Sequence, residues 1–217
     1  MVSKRHSYRT TGMQTRTNIF STTLIESPKD TAYTNIALLP HTDCCYLEDQ
    51  VALQVFNCVA KAGDGGASTW IDGFKVAEDL KTDLPHVFEF FSTIKLPYFC
   101  VYDGVDVRSE GPVFQHDANN VLRQIRFNNY DRAPIKNLTQ EEVEQFYTYL
   151  PVLYERFRDE KYTLKHTLDV GEMVVIDNWR VLHGREEFEG YRNLRGCYVG
   201  RDDIDSTKRQ HIYGIQS

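Results

Sequence analysis

Apolar residues in this chain come in short runs closed by turn signals, and that punctuation restricts the possible folds more than any other feature. Strand-length runs cover Tyr33–Leu39, Val51–Val59, Lys95–Tyr102, Val121–Asn128, Tyr162–Leu168, Glu172–Ile176 and Leu194–Val199. The second run alternates, with Val51, Leu53, Val55 and Val59 expected on one face and Gln54 on the other. A turn at Gly63-Asp64-Gly65-Gly66 leads to a short strand through Trp70-Ile71, which breaks at Asp72-Gly73.

Helical periodicity is confined to the middle of the chain. Thr139 followed by Glu142 is a capping box, because each side chain can satisfy the other residue's free N–H. Val143, Phe146, Tyr147, Leu150, Leu153, Tyr154 and Phe157 then recur at helical spacing to about Arg158, with a kink expected at Pro151. Shorter helices are predicted over Phe74–Leu80 and Pro85–Ser92. Strands on both sides of a helical insert imply a mainly β fold, a sandwich or jelly roll, rather than alternating βαβ units. Such folds host many chemistries, so function must be argued from a site.

At 217 residues one domain is expected, with 41% hydrophobic and 26% charged residues. A net charge of −6 gives no electrostatic footprint for nucleic acid, and no apolar run has the length of a membrane span. Five cysteines, an odd number without a CxxC pair, suit reduced thiols better than a zinc site or a disulfide framework. Residues 1–29 form a distinct N-terminal segment, read as a transit-like leader or as the edge of a barrel. Its basic residues Lys4, Arg5, Arg9 and Arg16 lie among Ser and Thr, with no acid before Glu26. Residues 30–217 form the expected catalytic domain.

His41-Thr42-Asp43 is a chance-level motif by itself. In an extended segment its imidazole and carboxylate would point to the same face. Far downstream, Met173–Leu182 reads as a strand and turn that delivers His183 from across a barrel. Two histidines and one carboxylate on one face of an octahedron form the facial triad of non-haem iron(II) oxygenases. Three positions stay open opposite them, two for a bidentate 2-oxo acid and one for dioxygen. Arg192, nine residues after His183, supplies a guanidinium that can clamp a distal carboxylate.

Together with His41-Thr42-Asp43, several strings resemble the carnitine-biosynthesis dioxygenases, the trimethyllysine and γ-butyrobetaine enzymes. They are Gly65-Gly66 with Ser68, Asp72-Gly73-Phe74, Phe127-Asn128-Asn129 and the run from Asp177 to Arg185, DNWRVLHGR. The likeness extends from about Asp30 to about Asp203 and is more specific for the trimethyllysine branch. It implies a double-stranded β-helix (jelly roll) that holds Fe(2+) on His41, Asp43 and His183. Arg192 and Ser68 would bind 2-oxoglutarate, with ascorbate keeping the iron ferrous.

The implied substrate is a small quaternary-ammonium molecule, with no nucleic acid or membrane partner. A trimethylammonium group donates no hydrogen bonds, so aromatic faces are its natural receptor. Tyr33 and Tyr198 match two cage positions, Asp30 would attract an α-ammonium, and Asn128 would take the carboxylate. A bare γ-butyrobetaine carboxylate would instead be repelled by Asp30. Family members are nearly twice as long and carry an N-terminal domain that supports a homodimer. They are mitochondrial, which the basic start matches; the alternative compartment is the cytoplasm.

Overall fold

The computed structural model describes residues 18–23, 34–102 and 104–214. Five strands come first: β1 (Asn18–Thr23), β2 (Leu38–His41), β3 (Leu53–Ala60), β4 (Asp64–Gly65) and β5 (Ser68–Asp72). An insert follows, comprising α1 (Gly73–Asp83), α2 (Pro85–Thr93), β6 (Leu96–Tyr102), β7 (Val105–Gly111), β8 (Phe114–His116), β9 (Leu122–Ile125) and α3 (Gln140–Arg158). The chain then returns through β10 (Thr163–His166), β11 (Met173–Asp177), β12 (Val181–Arg185), β13 (Phe188–Glu189) and β14 (Asn193–Val199), and α4 (Arg201–Tyr213) follows.

Two antiparallel four-stranded sheets form the frame, in the orders β1-β14-β3-β11 and β10-β5-β12-β2. Each is built from strands far apart in sequence, the crossing pattern of a jelly roll, as expected. The segment ahead of residue 30 contributes the edge strand β1, paired with β14 along Asn18–Thr23.

The second sheet is sandwiched. Ile71 of β5 and Leu182 of β12 face the insert and join its core of Val76, Leu80, Phe91, Phe146 and Phe157. Their neighbours Trp70 and His183 point the other way, since side chains alternate along a strand. Between the sheets lies a small cluster of Cys58, Leu168 and Leu194, with Phe56 and Trp70 packed on it. The main apolar core therefore lies behind the jelly roll, in the helical insert.

The insert forms where its sequence signals lie. Asp72 caps α1 by accepting from the N–H groups of Phe74 and Lys75, and Pro85 opens α2 with its fixed φ. The Thr139–Glu142 capping box is present at the start of α3. That helix runs unbroken through Pro151, whose missing N–H leaves the Tyr147 carbonyl without its intrahelical donor.

The two faces of β3 separate as expected, and the inner one is the Gln54 face. In β3 the buried side chains are Gln54 and Cys58, preceded by Ala52, whereas Val59 on the valine face is 38% exposed. The space between the sheets holds a polar site, so the polar member of the alternation turns inward. In the neighbouring β11, Met173 and Val175 are also on the exposed face, but the inward Val174 and Ile176 are apolar.

Candidate metal centre

His41 ends β2 and His183 lies in β12, directly opposite it in the strand register. Their ring centroids are 4.4 Å apart. Asp43 completes the group from the turn after β2, so the segment is extended only as far as His41. Cys44 at φ +60° helps to close that turn. His41 Nε2 lies 3.5 Å from Asp43 Oδ1 and His183 Nε2 lies 3.7 Å from Asp43 Oδ2. One donor atom from each residue falls within 4.8 Å of the others, a spacing that one metal ion can bridge.

The chain around these residues is stitched in place. Thr42, between His41 and Asp43, donates its N–H to the Phe127 carbonyl at 2.7 Å. Its hydroxyl accepts from the Phe127 N–H at 3.0 Å, tying the motif to the insert core. The Asp43 N–H donates to Asn178 Oδ1 at 2.8 Å, and the Asp43 carbonyl accepts from Asn178 Nδ2 and Gln50 Nε2. Gln50 is held in turn by Gln124, and its carbonyl accepts from the Trp179 indole. His41 Nδ1 donates to the Leu39 carbonyl at 2.7 Å, which leaves Nε2 as the bare ring nitrogen.

The charges suit a cation. Burial pushes the Asp43 carboxyl up, but His183, His41 and the Tyr198 hydroxyl overcome this and hold it well below the usual carboxylate range. Burial and the neighbouring His41 push His183 down to about 3, so it is a neutral imidazole. Burial lowers His41, but its contacts with Asp43 outweigh that and raise it. An ionised carboxylate and bare imidazole nitrogens are the donor set a divalent transition metal takes.

Arg192 is 9% exposed and makes no hydrogen bond or ion pair among the described residues. It lies against the Phe188 ring, in a recess with Cys58, Gly65, Gly66, Thr167 and Leu168. Gly66 has φ +72°, and a Cβ there would meet Phe188, Ala62 and Arg192. Burial lowers the Arg192 pKa, only partly offset by the neighbouring Cys58 sulfur, and no carboxylate pairs with it among the described residues. Ser68, also buried, lies across from Arg185 in the β5–β12 pairing. Arg185, which sequence reasoning missed, is a second buried guanidinium pushed down to about 10 by burial and by Arg192. It differs from Arg192 in donating to the carbonyls of Thr34 and Ile36, both at 2.7 Å.

The remaining expected site residues are placed unevenly. Asp30 and Tyr33 lie outside the described residues. The Tyr198 hydroxyl donates to Asp43 Oδ2 at 2.7 Å, so its side chain reaches the centre of the site. Asn128 is buried and engaged locally, donating to Asp131 at 2.9 Å and accepting from the Tyr130 N–H at 3.0 Å. Tyr130, not singled out from the sequence, stands edge-on to His41 with centroids 6.2 Å apart.

A mitochondrial trimethyllysine dioxygenase from Gallus gallus is 40% identical over 193 residues, covering 87% of this chain and 46% of that protein. A gamma-butyrobetaine dioxygenase from Pseudomonas sp. (strain AK-1) is 32% identical over 180 residues, covering 80% of this chain and 46% of its own. This chain thus spans about half the length of the curated relatives it matches. The crystal structure of a taurine dioxygenase from Burkholderia xenovorans superposes with a TM-score of 0.62 at 18% identity, over 84% of this chain and 64% of that one. That likeness supports the fold. Residues 3–198 match the model described as taurine catabolism dioxygenase TauD, TfdA family. A match of that extent, on a jelly roll that gathers two imidazoles and a carboxylate, leaves one assignment: the chain belongs to the TauD/TfdA dioxygenase family.

Proposed function

We propose that this chain carries the catalytic centre of an Fe(II)- and 2-oxoglutarate-dependent oxygenase that hydroxylates N6,N6,N6-trimethyllysine at C3. The observation that carries the reading is the Arg192 guanidinium, buried on the same jelly roll as the triad with no carboxylate partner among the described residues. A buried cation without a counter-charge is costly, and a dicarboxylate anchored there would relieve it. His41, Asp43 and His183 would hold the iron. With 2-oxoglutarate and dioxygen, iron supplies the oxidising power to hydroxylate an unactivated C–H bond, and the cosubstrate leaves as succinate and CO₂. Arg192 and Ser68 would orient the cosubstrate, and ascorbate would keep the iron reduced.

The substrate assignment rests on sequence likeness and on chemistry. Tyr33 and Tyr198 would face the trimethylammonium group, and Asp30 would meet the α-ammonium that γ-butyrobetaine lacks. The second N–H of the Asn128 amide would reach the carboxylate. The higher identity to a trimethyllysine dioxygenase favours this substrate, and the Pseudomonas relative keeps γ-butyrobetaine as the second reading. The reading includes a mitochondrial location, which the name of the Gallus gallus relative supports, and a homodimer, which rests on the resemblance alone.

Purified protein incubated with Fe(II), ascorbate, 2-oxoglutarate and each betaine tests the proposal through succinate and hydroxylated product. Hydroxylation of trimethyllysine in preference to γ-butyrobetaine is expected. The reverse preference would move the assignment to the second reading. No succinate from either substrate would mark the chain as a non-catalytic part of such an enzyme.

A further inference from the structure

Gln54 and Tyr198 are cross-strand partners in the register of β3 and β14, so both side chains leave the same face of one sheet. That face looks toward the sheet that carries His41 and His183. Both residues converge on a single atom: Gln54 Nε2 and the Tyr198 hydroxyl each donate to Asp43 Oδ2. The orientation of the Gln54 amide is forced, because turning it would set its own oxygen against the carboxylate oxygen. Gln54 is 1% exposed and its Oε1 has no hydrogen-bond partner among the described residues. A buried amide that leaves one end unsatisfied is retained for what its other end does.

We infer that Gln54 and Tyr198 act as positioning residues that occupy Asp43 Oδ2 and leave Oδ1 as the carboxylate's metal-binding oxygen. One sheet then supplies the imidazoles, and the facing sheet restrains the carboxylate between them. The restraint matters because a facial triad must keep three positions free. A carboxylate that bound through both oxygens would take one of them. Two donors on Oδ2 offset that second bond and also fix the plane of the carboxylate. The inference rests on the metal-site part of the proposed function and is independent of the substrate.

Co(II) added under anaerobic conditions to protein stripped with a chelator tests it, through affinity and the visible d–d bands. Tyr198→Phe keeps the ring and removes only the hydroxyl, and Gln54→Met keeps the volume without the amide. Each variant is expected to bind Co(II) about 10-fold more weakly, and the double variant up to about 100-fold. The bands should change in intensity and position as a second carboxylate oxygen enters the coordination sphere, while Tyr198→Phe, which loses one hydrogen bond to a carboxylate, melts lower but still cooperatively without metal. Wild-type affinity and bands in the double variant would overturn the clamp alone. Failure of the wild type to take Co(II) at the triad would overturn the metal-site reading and the clamp with it.

Discussion

Asn178 shows how much of the centre depends on residues that never touch a ligand. It is fully buried, and its side chain accepts from the Asp43 N–H at 2.8 Å. It also donates to the carbonyls of Asp43 at 3.1 Å and Val51 at 2.9 Å. Asn178→Ala removes all three hydrogen bonds. At about 0.5–1.5 kcal/mol each, their net loss is roughly 1.5–4.5 kcal/mol. The Asp43 carbonyl keeps Gln50 as a partner, but the Asp43 N–H is stranded, which puts the expected loss in the upper half of that range. For a chain of this size, about 3–4 kcal/mol lowers the melting temperature by roughly 10 °C. The measurement is a thermal melt in chelator, where metal binding cannot mask the effect, followed by Co(II) titration of the same variant. Asn178→Asp should be worse despite its shape, since it replaces the donor by an acceptor facing two carbonyls and adds a buried charge. A fall below about 2 °C in Asn178→Ala, or Asn178→Asp melting with wild type, would refute the idea that this amide holds the Asp43 turn.

Other perturbations separate the parts of the site. Arg192→Met should raise the 2-oxoglutarate concentration needed for turnover while leaving Co(II) affinity intact, and loss of metal binding would reassign the residue. Gly184→Ala would place a Cβ 2.6 Å from the Leu38 carbonyl, pushing β2 from β12. Stability and metal affinity should fall together, as read by melting and Co(II) titration. Asp72→Ala removes the cap of α1 and should cost about 1 kcal/mol. The Arg180 ion pair adds little there, because both partners are at least a third exposed. Burial raises the Asp72 pKa, but Arg180 and the helix N–H groups outweigh it and lower it. Its stabilising contribution is therefore present above the ordinary carboxylate range and lost as pH falls through the lowered pKa. The melting difference between wild type and Asp72→Ala should shrink below about pH 4.

His41, Asp43 and His183 were legible in the sequence because two imidazoles and a carboxylate are a chemically narrow set, and the strings around them are specific. The capping box of α3 and the short strands were legible because their signals are local. The orientation of β3 was not. Alternation separates two faces but does not say which one looks inward, and here an inner polar site reverses the usual assignment. The alternation therefore separates Gln54 from the valines without showing that it reaches Asp43. Asn178 carried no signal beyond its membership of the DNWRVLHGR string, because its partners lie more than a hundred residues away. The helix α4 buries none of its residues, so no amphipathic pattern marked it.

The strands β5 and β12 have apolar packing on one side and chemistry on the other. Ile71 and Leu182 press into the insert core, while the residues next to them, Trp70 and His183, point to the side where His41 and Asp43 lie. A strand is too stiff for its two sides to move independently. A methylene added or removed at Leu182 would tilt the imidazole next to it, and so would a change in Phe91 or Phe146 that alters the surface those strands rest on. Selection for altered metal geometry would accordingly return substitutions in the helical insert, at positions that see neither metal nor substrate. The insert serves as the template against which the spacing of the two histidines is set.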